Sequence, residues 1–175
     1  MRRKYVITAL LIFIILSSFY YYLGGFNTVK MSLATVEPYV VAGYSYEGRF
    51  DEDQLEDLFF KVREYTEMGL FPGNITVVNY DLLDEDQDSI RQLIGVRLEG
   101  DPLSIADSLA IDTIEAGRVV RAEIEAHPLV MPRPDKINRQ IIDFALGQGV
   151  KLQDLTIEQY VSENRIVIDA PLLEE

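Results

Sequence analysis

Cysteine is absent from the 175 residues. That excludes a disulfide framework, a thiolate nucleophile, a cysteine-ligated metal and a lipobox. Histidine occurs once, as His127, which excludes a multi-histidine metal centre while leaving a Ser-His-Asp arrangement open. Basic residues are also scarce: 16 Lys and Arg stand against 29 Asp and Glu, for a formal charge of −13. Three of the 16 are Arg2, Arg3 and Lys4, so residues 5–175 carry 13 basic and 29 acidic groups, a balance of −16. Such a surface repels phosphate backbones, and no basic stripe offsets it, so no nucleic-acid partner is expected. There is no Walker lysine, no Rossmann glycine pattern after a strand and no nucleophile elbow, and no cofactor or metal is expected.

What is present begins with "MRRKYVITALLIFIILSSFYYYLGG". A basic tip, residues 1–4, precedes an uncharged run over residues 5–23, long enough to cross a hydrocarbon core of ~30 Å as a helix. A cleaved signal peptide is the rival reading. The length of the run, the interfacial triplet Tyr20, Tyr21, Tyr22 and the lack of an A-x-A-like site favour an uncleaved transmembrane anchor. With the basic excess on the N-terminal side, the tip is expected in the cytoplasm and the rest outside it. Residues 24–34 lack periodicity and read as a linker.

Residues 35–173 read as one α+β domain built of two β-α-β-β modules, about 35–98 and 113–173, joined by a connector at 99–112. "TVEPYVVAGYSYEG" (35–48) and "TIEAGRVVRAEIEAH" (113–127) correspond with one insertion, and "ITVVNY" (75–80) corresponds loosely to "LTIEQY" (155–160). A period near 80 residues is too long for a solenoid and points to a duplicated supersecondary unit. In the first module a strand leads to a capping-box-like start at Asp51 and Gln54. Leu55, Leu58, Phe59 and Val62 then recur at helical spacing until Gly69 and Pro72-Gly73. In the second, Pro134 opens a helix whose apolar face is Ile137, Ile141, Phe144 and Ala145. Two strands close each module, giving a mainly antiparallel sheet with two helices.

Three chemical candidates stand out. Asp84, Asp86 and Asp88 resemble the start of a calcium loop, but Ser89 and Gly95 occupy the positions that need Gly and Glu, so the run reads as a solvated turn. His127, beside Pro128, reads as a loop residue at a strand end. Glu158 and Tyr160 share one face of a strand with Thr156, whereas Leu155, Ile157 and Val161 share the other, which is expected to pack on the helices. Parity alone thus favours an exposed Glu158. Tyr44 and Tyr46, also two apart, could add an aromatic wall to the Glu158 face, and a carboxylate among aromatics suits a flat or cationic organic ligand.

Taken in order, "YSYEGRF", "AHPLVMPRPDKI" and "TIEQYVSENRIVIDAPL" resemble the GyrI-like family. This small-molecule-binding domain is also the effector domain of AraC- and MerR-type multidrug-responsive regulators. The likeness covers residues 34–173, and the family's closing Asp-x-Pro corresponds to Asp169, Ala170 and Pro171. It implies two pseudo-symmetric modules with a ligand groove between their helices or on the open face, and it assigns a binding role to Glu158 with Tyr160 beside it. The expected ligand is an aromatic or cationic compound. Some relatives are similar to hydrolases that use such a glutamate, which here would be a general base, but their Gly-Pro-Tyr-like lead-in to the second helix is replaced by His127, Pro128 and Leu129. A third reading is a protein-interaction module docking a membrane protein partner.

Overall fold

A computed structural model describes residues 2–49, 53–80, 89–98, 109–115 and 117–173. The Asp84, Asp86 and Asp88 run and the Asp51 cap lie outside the described residues. Helix α1 spans Arg2–Tyr22, and its stretch Lys4–Tyr22 is long and apolar enough to cross a membrane. Eight strands follow: β1 Lys30–Thr35, β2 Tyr39–Gly48, β3 Ile75–Tyr80, β4 Ile90–Arg97, β5 Ala110–Ile114, β6 Arg118–Glu125, β7 Leu155–Ser162 and β8 Arg165–Pro171. Helix α2, Asp53–Glu67, lies between β2 and β3, and α3, Pro134–Gln148, between β6 and β7. The order β-α-β-β thus occurs twice, within an α+β fold whose pairings are all antiparallel.

Two strands lie where the sequence shows no strand period. β1 lies almost wholly in the stretch 24–34 read as linker, and β5 begins in the connector 99–112 and ends in the first two residues assigned to the second module. They are legible only from their partners. Lys30 through Thr35 pair with Glu123 through Arg118, and Tyr39 through Gly43 pair with Ile114 through Ala110. One register runs through both ladders, and between them the Val36 amide donates to Gly117 O at 2.7 Å. The two ladders, with the Val36–Gly117 bond between them, thus set the chain from β1 into β2 alongside the chain from β5 into β6 in one register. Each module's leading strand adds to the first strand of the other module.

The sheet order is β1-β6-β8-β7-β3-β4-β2-β5. Its two ends are tied to its interior, because only three residues separate β1 from β2 and β5 from β6. A sheet held that way must roll up, and its second face closes on itself. Three cores result. Ile137, Ile141 and Ala145 of α3 pack on Val120, Ala122, Ile124, Ile168 and Ala170, and Leu55, Leu58, Phe59 and Val62 of α2 pack on Val77, Ile94 and Val96. Inside the roll, Tyr39, Val41, Val78, Leu93, Ile114, Val119 and Ile157 make a third core contributed by both modules. Each such fully buried aliphatic side chain stabilises the fold by roughly 1.5–3 kcal/mol.

Close approach of β2 and β4 requires glycine on both strands. Gly43 and Gly95 face one another in the β2–β4 ladder. A Cβ on Gly43 would run into Ile94 O and Gly95 Cα, and one on Gly95 into Ala42 O and Gly43 Cα.

The interior also holds a polar cluster. Asp169, wholly buried, accepts two bonds from Arg121 at 2.8 Å across the β6–β8 ladder and one from the Tyr39 hydroxyl at 2.5 Å. Burial and this carboxylate push the Tyr39 phenol up to about 12. Gln159 donates to the same hydroxyl, and Arg97 stacks over the Tyr39 ring at 4.4 Å. The Asp of the closing Asp-x-Pro stretch is thus an internal strut linking β8 and β6 of one module to β2 of the other.

The shared core also decides the helix side. Leu155 and Ile157, expected under the helices, lie inside the roll with Tyr39 and Val78, while Tyr160 packs on Phe59 of α2. The expectation is reversed because both faces of the sheet are buried, so an apolar alternation marks a face without saying what covers it. A shift of one residue in the repeat alignment has the same origin. Aligning the two Val-Val pairs sets Val41 beside Val120, yet Val41 and Val119 share the interior and Val120 lies beneath α3.

Candidate functional site

Glu158 and Tyr160 sit on β7 at the seam between modules, where β7 pairs with β3. Val77 stands opposite Glu158 and Ile75 opposite Tyr160, so the two polar side chains share the helix-bearing face with apolar neighbours. The Tyr160 ring meets Phe59 edge-on with centroids 5.2 Å apart, which fixes the phenol beneath α2.

Glu158 is half-buried and held by two donors. Asn79 Nδ2 donates to Oε1 at 2.7 Å and the Tyr160 hydroxyl to Oε2 at 3.4 Å. Asn79 is oriented in turn by Gln92 Nε2, which donates to Asn79 Oδ1 at 2.5 Å, and it reaches Thr156 Oγ1 at 3.3 Å. A polar line thus crosses three strands, from β4 through β3 to β7. Desolvation raises the Glu158 carboxyl above its ordinary 4.5, and the bonds from Asn79 and Tyr160 offset only part of that. No cation faces it among the interactions that shift it. Burial and the adjacent carboxylate likewise raise the Tyr160 phenol.

A groove of about 480 Å³ leads to Tyr160. One wall is the second half of α2, with Phe59, Arg63, Thr66 and Glu67. The other is the turn after β6, with His127, Pro128 and Met131, and Ile75, Tyr160 and Ile166 form the floor. Its ionised groups lean acidic, since Arg63 is paired to Glu67 at 2.8 Å and Glu163 adds a further carboxylate. Glu158 lies behind the Tyr160 phenol, beyond the residues that line the groove.

The structure therefore brings Glu158 and Tyr160 together at the inner end of a groove. Tyr44 and Tyr46 share their sheet face, but they stand on β2 and do not line the groove. Lys61 Nζ covers the Tyr44 ring at 4.4 Å, and the buried Tyr46 donates its hydroxyl to Arg49 O at 2.7 Å. His127 proves to be a structural as well as a groove residue. Its Nδ1 accepts the Leu129 amide, capping the 3-10 turn Pro128–Val130. Sequence reasoning missed Asn79, Gln92 and Phe59. Asn79, a polar residue ending "ITVVNY" on the Val77 face, was the available signal. Among the described residues, no group of three or more His, Asp or Glu could hold a metal ion.

No protein-family model and no curated protein matches the chain in sequence. Solved structures do match. The EcmrR C-terminal domain aligns with a TM-score of 0.60 at 12% identity, over 84% of this chain and 99% of that one. SAV2435, solved bound to tetraphenylphosphonium, gives 0.54 at 13% identity over 82% and 94%. A hydrolase from Listeria innocua gives 0.53 at 9% identity over 82% and 92%. The chain shares the overall fold of these three solved proteins. Since a ligand-bound protein and a hydrolase share it, fold alone does not choose a function.

Proposed function

We propose that residues 35–173 form a small-molecule-binding effector domain held at a membrane by residues 5–23, with the N-terminus cytoplasmic and the domain outside. The ligand is an aromatic or cationic organic compound. One observation carries this reading: a desolvated carboxylate without a cationic partner stands behind an aromatic hydroxyl at the inner end of an apolar groove. A lipophilic cation entering the groove would stack on Phe59 and Tyr160 and supply the missing charge to Glu158, an exchange favoured where water is excluded. The ligand-bound structure of SAV2435, which has the same fold, supports the choice of probe. Tyr44, with Lys61 of α2 over its ring, serves in this reading as packed support for α2, and Tyr46 ties the end of β2 through its bond to Arg49 O.

The test is a thermal-shift titration of the full chain in lipid nanodiscs with tetraphenylphosphonium. Saturation at a hundred times Kd stabilises a one-site protein by about 2.7 kcal/mol, an easily read shift. Glu158→Gln removes most of it. No shift with this or related cations would overturn the reading.

A raised carboxyl bonded to a phenol also suits a general base acting on water. Hydrolysis of strained electrophiles by the wild type, lost in Glu158→Gln, would establish this second reading.

A further inference from the structure

We propose that the groove opens at the bilayer surface and is loaded from the lipid, so that its ligands are amphiphilic cations partitioned into the outer leaflet. This rests on the groove being the ligand site and goes further in naming the ligand's source. The wall formed by His127, Pro128 and Met131 is joined directly to the end of α1. The His127 amide donates to Leu23 O at 2.9 Å, one residue beyond the helix, and Asn27 Nδ2 donates to Glu125 O at 2.7 Å. A helix of 21 residues is about 30 Å long, the thickness of a hydrocarbon core, so its end lies at the headgroup level when it spans. Tyr20, Tyr21 and Tyr22 stand in that last turn, as interfacial aromatics do. Through those two bonds the His127 wall is held at the same level.

Exposed apolar residues occur on both sides. Leu129, in the turn that His127 caps, is 78% exposed, and Met68 and Leu70, just after the α2 wall ends, are 61% and 63% exposed. In water such side chains cost hydration, whereas in the interfacial region they are buried. The excess acid of the groove selects cations among the amphiphiles that gather there.

The absence of native cysteine allows single-site labelling. Leu129→Cys and Leu146→Cys each receive an environment-sensitive fluorophore in the full chain, reconstituted in nanodiscs with or without doxyl-labelled lipid. Leu146, 71% exposed near the far end of α3, is the control, about 20 Å along that helix from its start. Lipid-borne quenching at least twofold stronger at 129 than at 146 is expected; equal or absent quenching at 129 overturns the proposal. In the same discs, alkyltriphenylphosphonium ions of increasing chain length should bind about fourfold more tightly, per aqueous concentration, for each methylene added. Affinity independent of chain length would also overturn lipid loading. Binding without quenching sinks only the route, whereas quenching with no phosphonium bound sinks the ligand reading and the route with it.

Discussion

The Tyr160 hydroxyl donates to Glu158 Oε2 at 3.4 Å from two positions along the same strand, beneath α2 and at the seam of two modules. Both residues are half-buried, and desolvation raises the carboxyl above its ordinary 4.5. Keeping that carboxyl charged costs stability, and on the proposed reading a bound cation offsets the cost.

Glu158→Gln should therefore stabilise the empty protein while abolishing ligand-induced stabilisation. Between pH 4.5 and the raised folded pKa, the unfolded chain gives up the Glu158 proton before the folded one does. The folded state binds more protons in that window, so wild-type stability falls as pH rises through it. Gln cannot ionise. The melting temperatures of variant and wild type should coincide below about pH 4.5 and separate above it, with the variant higher. Calorimetry across that range checks the sign; a variant that is lower at neutral pH contradicts it.

Cation affinity should depend on the same carboxyl. Only ionised Glu158 pairs with the ligand, so affinity falls about tenfold per unit as pH drops below the folded pKa. Tyr160→Phe and Asn79→Ala each remove a bond that favours the ionised form and move the midpoint to higher pH. Asn79→Ala moves it further, since its bond is 2.7 Å against 3.4 Å and is the larger lowering influence. Titration calorimetry at several pH values gives the three midpoints, and an order other than wild type, Tyr160→Phe, Asn79→Ala would show that Glu158 is not the titrating group.

Several elements were legible because their signals are local. Pro134 at the first turn, Gly149 at φ 68° after the last, and the spacing of Ile137, Ile141 and Ala145 fix α3 from adjacent residues alone. β1 and β5 were not legible, because their burial depends on partners about 80 residues away and their own side chains are largely exposed. The pairing of Glu158 with Tyr160 followed from period two. Which face they occupy did not, since Leu155 and Ile157 are as buried against the other module as they would be under a helix.

Asp169 tests whether the interior cluster acts as a strut. Asp169→Ala leaves Arg121 without its buried counter-ion and Tyr39 without its acceptor. Removing one partner of a buried pair costs about 3–5 kcal/mol, or a fall in melting temperature of roughly 10 °C for a chain this long. The double variant Asp169→Leu, Arg121→Met removes both charges and should lose much less. Circular dichroism melts of the two decide it: equal losses would mean that packing, and not the stranded charge, sets the cost.

The paired glycines make opposite predictions for the same substitution in different places. Gly95→Ala puts a methyl group against Ala42 O and Gly43 Cα, both backbone atoms that can yield only if β2 and β4 separate. Overpacking of this kind costs about 1–3 kcal/mol or more, and because β2 belongs to the long ladder between modules, the cost should appear in the global transition. Gly147→Ala meets nothing within 4 Å and lies within α3. There the added methyl group limits only the unfolded chain and improves helix propensity, worth about 0.5–1 kcal/mol. Urea denaturation of the full chain should therefore move its midpoint down for Gly95→Ala and up for Gly147→Ala. A Gly95→Ala protein as stable as wild type would mean that the strands do not need their close approach at Gly43 and Gly95.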